Sequence, residues 1–182
     1  MNPVFDVYTI KAIIGLGNPG GAYARNRHSI GFGVINALAE KYNATWQSSE
    51  LMEYATIAVH DTTGAPHSIL LIKPQTFMNN SGRVLSFMQK KGIKPEQILV
   101  IHDELEKPFG KIVIKFGGSH KGHNGLKSIM SMIGADFWHL AFGIGRPADK
   151  NDVPSYVLSN FAPDEASRIP ELIDQSLALV KI

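Results

Sequence analysis

Ile98-Leu-Val-Ile101 is a run of four apolar residues that stops abruptly at His102-Asp103-Glu104. A strand apolar on both faces must be covered on both faces, as the central strands of helix-flanked sheets are. The rest of the chain offers the covering. Residues 11–17 predict a buried first strand running into a glycine-rich turn, and residues 30–42 predict an amphipathic helix that Ser29 is placed to cap. Residues 54–60 and 68–73 predict strands joined across the turn-rich Asp61-Thr-Thr-Gly-Ala-Pro66. Residues 81–91 carry helical apolar spacing that Gly92 and Pro95 end. Residues 111–116 alternate as a half-buried strand, 126–133 predict a helix, 138–144 another strand, and Pro163 starts the last helix. Strands alternating with helices predict an α/β fold of three layers, whose functional groups gather beyond the carboxyl ends of the strands. A chain of 182 residues suits one domain over 1–182, with residues 1–10 as a short N-terminal extension.

Composition narrows the chemistry. The chain has no cysteine, so disulfides, thiolate metal sites and cysteine nucleophiles are excluded, and His, Asp, Glu, Asn or Ser must act. No apolar run approaches the ~20 residues that span a bilayer, and the first ten residues lack the pattern of a signal peptide. A soluble, intracellular protein is expected, cytoplasmic or, in a eukaryotic cell, mitochondrial. Net charge is only +2, yet residues 83–127 carry nine Lys and Arg against four Asp and Glu. That asymmetry predicts a polyanionic partner, with Lys107, Lys115, Lys121 and Lys127 as candidate phosphate contacts.

Gly15-Leu-Gly17-Asn-Pro-Gly20 matches the dinucleotide fingerprint literally. In that fingerprint the helix opens within the glycines and an acid follows the next strand about 20 residues on. Here Pro19 interrupts, residues 21–28 separate the last glycine from the expected helix, and Glu40 falls inside that helix, so nucleotide binding is rejected. His28 lies directly before the helix, near the end of the first strand. Asp103 follows the central strand, where a carboxylate can bond an imidazole Nδ1, fix its tautomer and stabilise its cation. No Gly-x-Ser-x-Gly elbow occurs, so water activated by His28 is preferred to a serine nucleophile. His102, His120 and His123 are conceivable zinc ligands, but His-x-x-His on a glycine loop lacks the usual ligand spacing, and no metal is expected. Asn18, Asn79 and Asn124 each adjoin a glycine-containing turn, and convergent carboxamides suit recognition of a peptide backbone.

Four separated motifs carry a resemblance that covers residues 11–161. They are Gly15-Leu-Gly-Asn-Pro-Gly20 with Tyr23 and Arg27-His28, Thr76-Phe-Met-Asn79 with Ser81-Gly82, His102-Asp-Glu-Leu105, and Gly122-His-Asn-Gly125 with Gly143-Ile-Gly145. In order and spacing the chain resembles the bacterial-type peptidyl-tRNA hydrolases. The resemblance implies a twisted mixed sheet between helices and an esterase that releases peptide from the 3′ end of tRNA, recycling tRNA dropped by ribosomes. It implies a monomer that works on peptidyl-tRNA without metal, organic cofactor or membrane. His28 would be the base, Asp103 its partner, and Asn18 the residue that separates blocked from free aminoacyl groups. Tyr23, Phe77, Asn79 and Asn124 would line the substrate site, and Lys115 would hold a tRNA phosphate. Three departures stand out: Asn26-Arg-His-Ser29 replaces Thr-Arg-His-Asn, Ala141 stands where the family places a base, and the sequence ends at Ile182, short of the family's helical tail. A weakly catalytic relative that binds RNA is the alternative reading, and the intact Asn18, His28 and Asp103 set favours the enzyme.

Overall fold

The computed structural model of the chain describes residues 3–182; Met1 and Asn2, at the start of the expected extension, lie outside the described residues. Among the described residues seven strands form one sheet: β1 (Ala12–Gly15), β2 (Gln47–Ser48), β3 (Met52–His60), β4 (Pro66–Pro74), β5 (Ile98–Glu104), β6 (Ile112–Phe116) and β7 (Trp138–Gly143). Their order is β2-β3-β4-β1-β5-β7-β6. The four central strands, β4, β1, β5 and β7, run parallel, while β2 on β3, β3 on β4 and β6 on β7 are antiparallel. The sheet is therefore mixed, parallel where helices cover both faces and antiparallel toward its edges.

Helices α1 (Ile30–Lys41) and α5 (Pro163–Val180) cover one face; α2 (Leu85–Lys90) and α3 (Asn124–Ile133) cover the other. The short α4 (Val153–Val157) packs beside the first pair. On α1 the buried residues Ile30, Val34, Ile35, Leu38 and Ala39 recur at helical spacing and meet Leu99, Ile101 and Leu140 of the sheet. On the opposite face Leu126 and Ile129 of α3 meet Ile14 and Val100. Every residue of β5 is buried, as its apolar run requires, and the strand extends through His102, Asp103 and Glu104, so those polar side chains are set on strand backbone.

Two sequence expectations change in detail. Ser29 adjoins α1 but makes no capping bond; its Oγ instead accepts the Asn18 N–H at 3.1 Å, which ties the glycine loop to the helix start. The segment expected to be helical from residue 81 begins as a 3-10 turn, Met78–Val84, and becomes α-helical only at Leu85. After Gly20 the chain makes two 3-10 turns, Gly21–Tyr23 and Arg27–Ser29, before α1 opens, so the helix does not open within the glycines as the dinucleotide fingerprint requires.

The position of His28 follows from a glycine contact. A Cβ on Gly31 would lie 2.5 Å from the Ile101 carbonyl oxygen and from the Leu16 backbone, and one on Gly15 would lie 2.4 Å from the Gly31 oxygen. Only hydrogen at both positions lets the first turn of α1 sit on the ends of β1 and β5, three residues after His28. Backbone on three sides leaves nothing flexible to yield. Gly31→Ala is expected to lower stability by about 1–3 kcal/mol or more, read as a reduced urea midpoint, whereas a wild-type midpoint would show that α1 is not held this closely.

Candidate active site

Asp103, the penultimate residue of β5, is almost fully buried, and two imidazoles converge on it. His28 Nδ1 lies 2.9 and 3.0 Å from its two oxygens, and His123 Nε2 lies 2.9 Å from Oδ1. The surrounding bonds settle the tautomers. His123 Nδ1 accepts the Leu126 N–H at the start of α3, so its proton sits on Nε2 and points at Asp103. A carboxylate only accepts, so His28 donates from Nδ1 and, when neutral, keeps its lone pair on Nε2. Burial alone would raise the Asp103 pKa, but His28 and His123 outweigh it and hold the carboxyl well below the usual carboxylate range. Burial would likewise depress His28, yet the Asp103 charge and hydrogen bond prevail and its pKa is raised above 6.5.

This pair opens on a cleft of ≈ 290 Å³ whose wall includes His28, Asp103, Glu104, Lys121, His123 and Asn124. Of the expected site residues, His28, Asp103 and Asn124 line the cleft directly. Asn18, Tyr23, Phe77 and Asn79 do not line it and stand on two loops bonded to one another. Asn18 Oδ1 accepts the Met78 N–H at 2.8 Å, which orients the amide and leaves its N–H donors out of that bond. Phe77, adjacent in sequence, is 54% exposed at φ +57° and meets Tyr23 edge to face at 6.0 Å. Asn79 is exposed. Lys115 is half-buried behind the cleft wall, 3.6 Å from Glu104.

Residues 12–182 match the family model described as "Peptidyl-tRNA hydrolase". The chain is 43% identical over 176 residues to the peptidyl-tRNA hydrolase of Neisseria gonorrhoeae, covering 94% of this chain and 89% of that one. It is 40% identical over 166 residues to that of Mycobacterium bovis, covering 90% and 85%. A crystal structure of peptidyl-tRNA hydrolase from Acinetobacter baumannii superposes with a TM-score of 0.87 at 39% identity, over 98% of this chain and 90% of that one. The chain belongs to the peptidyl-tRNA hydrolase family. The mixed α/β sheet expected from the sequence is the fold of those relatives. Among the described residues no helix is long and apolar enough to cross a membrane.

Three residues to which the sequence reading gave no role around His28 prove central to the geometry there. His123, weighed only as a zinc ligand, is the second donor to Asp103. The ligand atoms of His28, Asp103 and His123 lie within 4.8 Å of one another, close enough to suggest a metal. A cation there would need the His123 Nε2 lone pair, and moving that proton to Nδ1 would set it against the Leu126 N–H. The trio is thus arranged as a hydrogen-bonded set. Of the three zinc candidates, His120 Nδ1 is engaged with the Gly122 N–H, and His102 is buried with both ring nitrogens engaged. Arg27 is the second: its guanidinium donates to Ser159 Oγ, the Asn160 carbonyl and Glu165, each at 2.6 Å, and lies over the Tyr156 ring, fixing the loop that carries His28 to α5. His139 is the third. His102 Nδ1 donates to the Asp103 carbonyl, leaving Nε2 to accept from His139 Nδ1 at 3.1 Å, while His139 Nε2 is buried without a partner.

Both of those imidazoles are held neutral. Burial pushes His102 down from 6.5 to about 4 and His139 down to about 2, with the neighbouring imidazoles adding to the shift. The unfolded chain takes up protons from pH 6.5 downward that the folded chain refuses until lower pH, so this neutrality favours the fold above 6.5 and its contribution shrinks as pH falls toward 4. Urea midpoints are expected to drop between about pH 7.5 and about pH 5. His139→Leu should start lower, with His102 Nε2 left unpartnered, but lose less over that interval. An equal loss in both proteins would place the acid sensitivity elsewhere.

Proposed function

We propose that the chain is a peptidyl-tRNA hydrolase in which His28 takes a proton from water and Asp103 holds the imidazole for that task. The observation that carries this reading is the His28–Asp103 pair opening on the cleft with Nε2 left as the free base, in a chain of this family. In the proposed reaction the water oxygen bonds to the ester carbonyl carbon as its proton passes to Nε2. The tetrahedral intermediate then collapses, the bond to the ribose 3′ oxygen breaks, and that oxygen takes the proton back from the imidazolium. Asp103 stays ionised throughout because it stabilises the cation. Asn18, its oxygen engaged by Met78, presents only donors, and a donor suits the acyl carbonyl that a blocked aminoacyl group has and a free amine lacks. The exposed amides of Asn79 and Asn124 and the Tyr23–Phe77 pair are assigned to the peptide and the 3′ end, and Lys115 to phosphate.

A monomer is the state that the family resemblance implies, and peptidyl-tRNA arises where ribosomes work, which supports a cytoplasmic role. Plain RNA binding would not need a buried carboxylate that sets an imidazole tautomer.

The decisive assay offers one tRNA carrying either an N-blocked or a free aminoacyl group; release from the blocked form alone is expected, and release from neither would overturn the reading. His28→Ala should lower kcat by ~100-fold or more with tRNA affinity nearly kept, since a general base contributes about that much to the transition state. Near-wild-type turnover would remove His28 from the role. The pH profile tests the partner. His28 serves as base only when neutral, so activity should climb with pH through its raised pKa. Asp103→Asn removes the charge that raises it, and the acid limb should move to lower pH while kcat falls. An unmoved limb would mean that Asp103 does not govern His28.

A further inference from the structure

A second cavity, of ≈ 510 Å³, lies between α1 and α5 and shares no wall residue with the His28 cleft. Its volume falls within the ~300–1,000 Å³ of pockets that hold small molecules. Residues 26–29 divide the two: His28 belongs to the cleft, Asn26 and Ser29 to this pocket. Its apolar wall is made by Ile30 of α1, by Phe161, and by Pro163, Ala166, Ile169 and Ile173 of α5. Gly33 completes the wall from within α1. A Cβ there would lie 3.6 Å from Ile173 and 3.8 Å from Ile30, ordinary contact distances, so packing does not demand glycine as it does at Gly31. Glycine inside a helix weakens it, and here its missing side chain leaves open space between two helices.

The polar residues of the wall are neighbours. Asn26 and Asn160 face each other across a β-bridge, and Arg25 adjoins them. Asn26 is 5% exposed and stands where an asparagine caps a helical turn, yet among the described residues its carboxamide makes no hydrogen bond. Its backbone is used, the N–H by the Tyr23 carbonyl and the carbonyl by the Ser29 N–H, so only the side chain lacks a partner. A buried amide left in that condition costs free energy that a ligand can recover. Arg25 is exposed and makes no ion pair among the described residues. Ile30 and Pro163 are the first residues of α1 and α5, so the positive ends of two helix dipoles border the pocket. Glu165 is held by Arg27 and the Ala162 N–H, and neither it nor Asp164 belongs to the wall.

We infer that this pocket binds a small molecule with an apolar chain and one carboxylate, the chain between α1 and α5 and the carboxylate on the Asn26 amide and the Arg25 guanidinium. A carboxylate accepts from both, and it gives Asn26 the partner that the fold leaves out. A fatty acid and the C-terminal residue of an apolar peptide both present this chemistry. Occupancy is independent of the hydrolase reading, because no residue of this wall takes part in the proposed reaction.

Calorimetric titration with octanoate, 1-octanol and acetate tests the assignment. Octanoate should bind saturably, octanol about 10-fold more weakly for want of a charge-assisted bond, and acetate not measurably for want of a chain. N-acetyl-leucyl-leucine run beside octanoate separates the two sources, the tighter of the pair naming the ligand class. Asn26→Ala and Arg25→Ala should each weaken octanoate several-fold. Neither should lower the urea midpoint, since neither side chain has a protein partner to lose, whereas a structural role for Asn26 would lower the midpoint and spare the affinity. Gly33→Leu should fill the space and abolish octanoate binding, again without a lower midpoint. Should that variant fail to fold, Arg25→Ala, at an exposed position, still judges the site. No saturable binding of either carboxylate, equal affinity for octanoate and octanol, or wild-type octanoate affinity in both Asn26→Ala and Arg25→Ala overturns the proposal.

Discussion

A buried carboxylate at the end of the central strand sets the terms for everything around it. Asp103 has almost no access to water, and an ionised carboxyl in such a place is tolerated only if its oxygens are bonded to donors. Two imidazole N–H groups meet that need, and each comes from a different loop. His28 arrives on the segment before α1, and His123 on the segment that caps α3, so one anion binds together the two helical layers of the fold. The same demand fixes chemistry as well as structure. Donation from His28 Nδ1 leaves Nε2 as the basic atom, and donation from His123 Nε2 leaves its Nδ1 to cap a helix. Stability and reactivity therefore share the same protons.

Support for this arrangement comes from backbone contacts that only glycine permits and from one arginine. Gly15 and Gly31 let α1 rest on the strand ends, which fixes the height of His28 above the sheet. Arg27, stacked on Tyr156 and bonded to Glu165, holds the same loop from the other side. Glu165 in turn accepts the Ala162 N–H at the start of α5, so the last helix is anchored at the point where it touches the loop that bears His28. The loop bearing His28 is thus gripped at both flanks, and its histidine is rigid without being packed into the core.

Much of this was legible in the sequence, and the limits have physical causes. The apolar run of β5, the helical spacing of α1 and the proline at the head of α5 are local patterns, and each element formed close to where its pattern lies. His28 and Asp103 were identifiable because each adjoins the end of an expected strand. His123 was given no place beside Asp103 because that place depends on the direction of two hydrogen bonds, one to a helix N–H and one to a residue 20 positions away. Ser29 had the composition of a cap, yet the Asn18 N–H uses its hydroxyl, a tertiary competitor that no local rule shows. The lysines of the basic segment were countable, but the convergence of Lys115 and Lys121 on one acid depends on the burial of Glu104.

Strain at Phe77 points the same way. A bulky residue at φ +57° and ψ 160° occupies a region that side chains avoid, at a cost of about 1–3 kcal/mol. The conformation persists because the next N–H, that of Met78, is held by Asn18 Oδ1, while Met78 itself is buried against Leu126 and Leu16. Relaxing Phe77 would break that bond and release the Asn18 amide from its orientation. The molecule therefore spends backbone strain at one position to hold two features at once: an aromatic face turned to solvent beside Tyr23, and an amide with only its donors free. Neither arrangement lowers the energy of the folded chain alone, since an exposed phenyl ring buries little and an unpaired amide donor gains nothing. Under the proposed function a ligand supplies the missing contacts, an apolar or aromatic surface for the rings and a carbonyl for the amide, and the acylated 3′ end of a tRNA carries both.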